Sequence, residues 1–197
     1  ATKIAKPMST RSPLLNVMVR AADKAARGLK RDFGEVENLQ VSRKGPADFV
    51  SAADKRTDKK LREELSRARP DWGLVMEESG ETEGSDARGA RFVVDPLDGT
   101  SNFLHGIPHF CISIAAEQNG TLVAGVVYDP IKEELFVAEK GNGAFLNDRR
   151  IRVSARRRMD SALIATGAPF KGHGDRPTFL REIDAVMAET AGIRRQG

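Results

Sequence analysis

The sequence predicts a layered α+β domain, and three observations predict it. Two segments of helical periodicity come first. A run of short alternating segments follows, joined at Asn119-Gly120 and through Gly141-Asn142-Gly143. One further apolar strand and one further helix close the sequence. The turn pairs favour antiparallel hairpins, and the order does not suit a nucleotide-binding βαβ alternation.

The first helix is predicted over 13–31. Ser12-Pro13 is a start signal, a capping hydroxyl followed by proline at the first helical position. Leu14, Met18, Ala21, Ala22, Ala25 and Leu29 then recur at helical spacing. Residues 40–52 alternate weakly, and Lys44-Gly45-Pro46 reads as a mobile turn. A second helix carries the stripe Ala53, Thr57, Leu61, Leu65 and Ala68 until Pro70 stops it. Strands are predicted at Gly73–Met76, Arg91–Val94, 109–117 and 121–128. They continue at 134–138, 143–146, 151–154 and 162–166. Leu180, Ile183, Val186 and Met187 mark a last helix from Arg176 to Thr190, with Gly192 as its cap.

Composition narrows the function. The 197 residues are 40% apolar and 30% charged, which suits a folded core rather than a disordered chain. Apolar runs fall short of the roughly 18 residues of a membrane helix. Residues 1–11 read as a flexible tail without a signal-peptide pattern, and 12–197 as one domain. Cys111 is the single cysteine, so an internal disulfide and C-x-x-C zinc sites are excluded and a reducing cytoplasm is expected. The three histidines form no H-E-x-x-H motif. Net charge is +4, a weak argument for nucleic acid, but its distribution is uneven. Eight acidic and two basic residues lie between Asp71 and Asp98, while six arginines and no acid lie between Arg149 and Arg158.

Two acidic clusters carry the chemistry. Glu77-Glu78-Ser79 ends one strand, and Asp95-Pro-Leu-Asp-Gly-Thr-Ser-Asn-Phe ends another. Each alone is an ordinary turn or solvated loop. Together they offer hard oxygen donors of the kind magnesium takes. Asp95 and Asp98, three apart across a proline, can aim at one point. The Leu97 carbonyl between them adds a neutral oxygen, and Glu77 can approach from the neighbouring strand. Gly99-Thr100 then opens a helix whose first amides attract an anion. Cations beside an anion-sized hole suggest metal-assisted phosphoryl chemistry.

The segment from Asp95 to Gly106 closely resembles the signature of the inositol monophosphatase family, magnesium-dependent and lithium-sensitive sugar phosphatases. Glu77-Glu78-Ser79, Asp48-Phe-Val-Ser-Ala-Ala-Asp54, Gly141-Asn-Gly-Ala-Phe and Ala165-Thr-Gly-Ala-Pro-Phe170 resemble its other motifs. The likeness runs from about Leu14 to the last residue. It implies the family's layered αβαβα sandwich and a homodimer. It implies that Glu77, Asp95 and the Leu97 carbonyl bind one magnesium, Asp95 and Asp98 a second, and Glu77 a weaker third through water. Asp54 and Thr100 would deprotonate the attacking water, and the amides of Gly99 and Thr100 would hold phosphate oxygens. Glu78 would stand behind the ligands, and Lys44 would lie on a mobile loop near them.

The implied reaction is hydrolysis of myo-inositol 1-phosphate by metal-activated water. Fructose 1,6-bisphosphate or a 3′-phosphoadenosine nucleotide is the alternative substrate. A regulatory protein binding RNA or the transcription machinery through Arg156-Arg157-Arg158 is the alternative from another class. Met76 stands where the family has glycine, and Ser101 where it has a second threonine. The family's Trp-Asp-x-Ala-Ala-Gly motif, with a further metal-binding aspartate, does not occur within the 197 residues. A longer parent chain is therefore expected to carry it.

The remaining features read as structural. The arginine run suits a solvated hairpin face. His105 and His109 are expected to be structural, Cys111 a small buried hydrophobe, and His173 a loop residue.

Overall fold

The computed structural model describes residues 11–39, 46–169 and 174–195, with side chains outside 37–39 and 46–50. The chain divides after Ile151 into two compact units.

The first unit opens with α1 (Pro13–Leu39). The Ser12 hydroxyl accepts from the Leu15 amide at 3.2 Å, the capping bond that Ser-Pro foretold. The helix outruns the expected 13–31 because its apolar spacing continues through Phe33 to the buried Val36. The intervening charge at Asp32 is buried but held by the guanidinium groups of Arg31, at 3.1 Å, and Arg56, at 2.7 Å. The second helix, α2 (Pro46–Ala68), starts within the expected turn. Proline is tolerated there because the first helical N–H groups have no partner within the helix.

An eight-stranded sheet follows: β1 (Gly73–Met76), β2 (Gly80–Thr82), β3 (Arg91–Asp98), β4 (Cys111–Gln118), β5 (Thr121–Asp129), β6 (Glu134–Glu139), β7 (Gly143–Leu146) and β8 (Arg149–Ile151). Its order is β2-β1-β3-β4-β5-β6-β7-β8, antiparallel throughout except for the parallel β1–β3 pair. Asn119 and Gly120, both at positive φ, close the expected β4–β5 hairpin. Asn147 and Asp148, also at positive φ, close β7–β8, so that strand is 149–151 rather than 151–154. The polar triplet β2 shows no apolar pattern and is recruited by β1.

Strand alternation places the core. Leu74, Met76, Phe92, Val94, Ile112 and Ile114 are buried on one face of the sheet. Over that face lie α1, against β4 and β5, and α2, against β3. Alanines 21, 22, 25 and 26 of α1 are buried, small enough to admit α2 closely. Each large aliphatic or aromatic side chain taken fully from water contributes about 1.5–3 kcal/mol. The other face leaves Val93 and Val127 more than a third exposed. Phe33, Phe103 and Phe110 meet edge to face or tilted, with centroids 4.9–5.5 Å apart. They anchor α3 (Thr100–Leu104) to the end of the core nearest the acidic motif.

The second unit holds a short 3₁₀ turn at Met159–Ser161, then β9 (Leu163–Thr166), α4 (Arg176–Glu189) and β10 (Gly192–Arg195). The strands β9 and β10 pair in parallel, which requires the intervening helix as crossover. Asp175 caps α4 by accepting from the Thr178 amide at 3.2 Å. Gly192, expected as the helix cap, instead begins β10, and the helix ends at Glu189 with an extended Thr190. Among the described residues no helix is long and apolar enough to cross a membrane.

Candidate metal and phosphate site

The parallel register of β1 and β3 makes the acidic pair. Met76 lies opposite Val94, and the next residues are Glu77 and Asp95. The Glu77 amide donates to the Val94 carbonyl at 3.2 Å, extending the ladder one step. Parallel neighbours in register present the same face, so the Glu77 and Asp95 carboxyl groups come side by side. Burial first, and then Glu77 as hydrogen-bond partner and like charge, push the Asp95 carboxyl up to about 7.

Beyond Val94 the strand does not end, as the sequence suggested, but bulges. Asp95 faces Ser113 and Asp98 faces Cys111, so three steps on β3 span two on β4. Pro96 has no N–H to lose there. The Leu97 amide donates to Asp95 Oδ1 at 3.0 Å, which turns that carboxylate back along the loop. Gly99 then sits at φ +97°, and a Cβ on it would lie 3.0 Å from the His109 carbonyl oxygen. Glycine alone meets both demands. It leads into α3, whose five residues put the Gly99 and Thr100 amides at its start.

Asp54 approaches from α2. It is 5% exposed, its Oδ1 has no hydrogen-bond partner, and its pKa is pushed up to about 7. Burial is the main cause, followed by the negative charges of Glu78, Glu77, Asp95 and Asp58. Three separate elements thus direct acidic groups into one field, with the buried member unsatisfied. Among the described residues, however, no three acidic, histidine or cysteine side chains meet closely enough to hold a metal. The convergence is an adjacent pair, Glu77 with Asp95, with Asp54, Glu78 and Asp98 around it.

The remaining expectations divide. The Thr100 hydroxyl donates to the Leu97 carbonyl at 3.0 Å, so the two are joined, whereas no hydrogen bond joins Thr100 to the unpartnered Asp54 Oδ1. Cys111 is half-buried, not a core hydrophobe, because the bulge brings its Sγ within 3.7 Å of Asp98 Oδ2. Burial and the charge of Asp98 push its thiol up to about 12. His105 Nδ1 lies 2.7 Å from the Ser101 carbonyl, and His109 Nδ1 lies 2.8 Å from Lys132 Nζ. Both are structural contacts. Lys44 and His173 lie outside the described residues, as does the side chain of Asp48.

Sequence reading missed Asp58 and Arg62. They follow Asp54 at intervals of four, which puts all three on one face of α2. Asp58 is buried and accepts from the Ser79 hydroxyl at 2.7 Å. Arg62 donates to the same hydroxyl oxygen at 2.7 Å. The signal available was that spacing, hidden among the other charges of the helix.

Comparison with known proteins shows the family. The model of the inositol monophosphatase family matches residues 10–197. An inositol-1-monophosphatase of Rhizobium meliloti is 57% identical over 187 residues, covering 95% of this chain and 70% of the relative. The Nus factor SuhB of Escherichia coli is 40% identical over 185 residues, covering 94% and 69%. The crystal structure of the extragenic suppressor protein suhB from Bartonella henselae superposes with a TM-score of 0.84 at 60% identity, covering 94% of this chain and 71% of that one.

Proposed function

The chain belongs to the inositol monophosphatase family and is therefore a phosphoric monoester hydrolase, and we propose that it hydrolyses myo-inositol 1-phosphate with magnesium at the Glu77–Asp95 pair. The observation that carries this reading is the in-register Glu77–Asp95 pair lying in one field with a buried, unpartnered Asp54.

The donor types fit a hard divalent cation, although among the described residues no three of the side chains close on one point. The donors are all oxygens, Glu77 and Asp95 are like charges side by side that a cation would relieve, and Asp54 Oδ1 lacks a partner. Glu77, Asp95, Asp98 and the Leu97 carbonyl are the residues that would hold it. When bound, such cations supply Lewis-acid charge that makes a water more acidic and neutralises phosphoryl oxygens. The chain's own groups do the rest. Asp54, buried with Oδ1 unpartnered, takes the proton of the attacking water through the Thr100 hydroxyl. That hydroxyl turns away from the Leu97 carbonyl to do so. The Gly99 and Thr100 amides orient the phosphate, and Glu78 adds negative charge that keeps Asp54 basic.

The test is phosphate release from myo-inositol 1-phosphate, with and without magnesium, beside fructose 1,6-bisphosphate and a 3′-phosphoadenosine nucleotide. A preference for either of the latter two would move the substrate assignment within the same chemistry. Release from none of them would end the proposal. A homodimer is part of the same reading, and sedimentation of the full-length protein checks it.

A second reading has a specific support. Arg156, Arg157 and Arg158 are exposed, and a relative at 40% identity is named a Nus factor. Their replacement by alanine weakens RNA binding if the basic run is an RNA surface, and unchanged affinity removes this reading.

A further inference from the structure

We propose that Arg62 and Ser79 are positioning residues that fix the Glu77-Glu78 turn relative to Asp54 and thereby set the cation affinity of the site. The inference rests on reading the Glu77–Asp95 pair as a cation site.

The turn hangs between two anchors. On one side the Glu77 amide holds the Val94 carbonyl of β3. On the other, Ser79 is tied to α2, the helix that carries Asp54. The direction of that tie follows from the groups present. A guanidinium has no acceptor and a carboxylate no donor. The single Ser79 proton therefore goes to Asp58 Oδ2 at 2.7 Å, and its lone pairs accept from Arg62 Nη2 at 2.7 Å and Nε at 3.2 Å. Arg62 Nη1 donates in addition to Thr82 Oγ1 at 2.8 Å, so one guanidinium spans the β1–β2 hairpin.

The tie is directional, and its short bonds all converge on the Ser79 hydroxyl, with only longer contacts from Arg62 Nη2 to the Ser79 and Gly80 carbonyls at 3.5 and 3.4 Å behind them. Asp58 is 3% exposed, and its Oδ1 has no partner. Removing the Ser79 hydroxyl would leave Asp58 without the donor that holds Oδ2 and Arg62 without its shortest acceptor. Glu77 and Glu78 lie on the stretch held at one end by the Val94 carbonyl and at the other by α2. Their placement relative to α2 therefore depends on the Ser79 tie, a bond that neither carboxylate makes. Partners standing behind metal ligands commonly control affinity by about 10–100-fold.

The experiment measures Mn²⁺ binding by electron paramagnetic resonance on the metal-stripped chain, with Mn²⁺ alone as probe. Arg62→Met and Ser79→Ala are expected to weaken binding by about 10–100-fold. Their melting temperatures in chelator should fall by a few degrees, in Ser79→Ala the cost of a buried Asp58 left without its donor, with folding retained at the assay temperature. Arg62→Lys should bind with intermediate affinity, because one ammonium reaches Ser79 or Thr82 but cannot fork across both. Arg67→Met, on the same helix, should bind as the parent does. Asp95→Asn separates the two levels of the argument. If it abolishes binding while Arg62→Met and Ser79→Ala bind normally, the tie does not position the site. If Asp95→Asn binds normally, the cation site itself is misassigned. Equal weakening in Arg67→Met would also overturn the inference. Ser79 is exposed in a turn, so its alanine variant serves if Arg62→Met fails to fold.

Discussion

Glu64 and Asp54 stand ten residues apart on the same helix and live in opposite electrostatic worlds. Glu64 accepts from Lys24 of α1 at 2.6 Å and lies 3.0 Å from Lys60, and those cations hold its carboxyl down at about 2. Asp54 is buried among Glu78, Glu77, Asp95 and Asp58, lacks a cation partner among the described contacts, and is pushed up to about 7. One acid ties two helices together. The other is held ready in an environment that resists its charge. A helix can do both because its faces are independent, and the sheet beneath only one of them carries strand ends bearing acids.

The contrast can be broken hardest at its centre. Asp95→Asn removes the carboxylate beside Glu77 and is expected to lower magnesium-dependent phosphate release by more than about 100-fold, beyond the usual loss of an outer partner. Circular dichroism should show the fold unchanged. Activity at the parent level would refute the site.

Thr100→Ala tests the proton path. Loss of a general acid–base relay costs about 10²–10⁴-fold in turnover. Mn²⁺ affinity should stay at the parent value, since the Leu97 carbonyl is untouched. A variant that loses affinity instead would make Thr100 a holder of the site rather than a relay.

The pH dependence of stability sharpens the comparison. In the folded chain Asp54 and Asp95 hold their protons up to about pH 7, above the unfolded carboxyl value of 3.8. The folded state therefore binds more protons between those values, and stability falls as pH rises through that window. Metal-free protein should melt at a lower temperature at pH 8 than at pH 5, and Asp54→Asn should flatten the slope. Magnesium should restore the melting temperature at pH 8, because a cation replaces the lost proton. Glu64 has the opposite sign. Its lowered pKa contributes stability above about pH 4.5 that is lost as pH falls toward 2.

The smallest effect belongs to the other acid. Glu64→Gln should cost less than about 1 kcal/mol in chemical denaturation, the range of ion pairs near the surface. Its activity should be unchanged. A loss of activity would show that the two faces of α2 are coupled after all.

Much of this was legible in the chain. The Ser12-Pro13 start, the Asn119-Gly120 hairpin and the strands at 73–76 and 143–146 are local signals, and local chemistry decides them. The candidate acids were legible too, because Asp95-Pro-Leu-Asp-Gly-Thr and Glu77-Glu78-Ser79 carry their donors at short spacing. The β2 strand was not, since three polar residues become a strand only when β1 offers them an edge. Nor was the bulge at Pro96-Leu97, which exists only as a mismatch against β4 and brings Cys111 beside Asp98.

By itself the sequence determined which groups are available: oxygen donors in two short motifs, a glycine free to take positive φ, and helices with one apolar stripe each. Tertiary structure decided which of them meet. The parallel register of β1 and β3 pairs Glu77 with Asp95, and the packing of α2 on β3 buries Asp54 in their field. The physical reason is that proton affinity and hydrogen-bond direction depend on distances between residues far apart in the chain. Spacing along a strand or helix fixes a face, but only packing fixes what that face confronts.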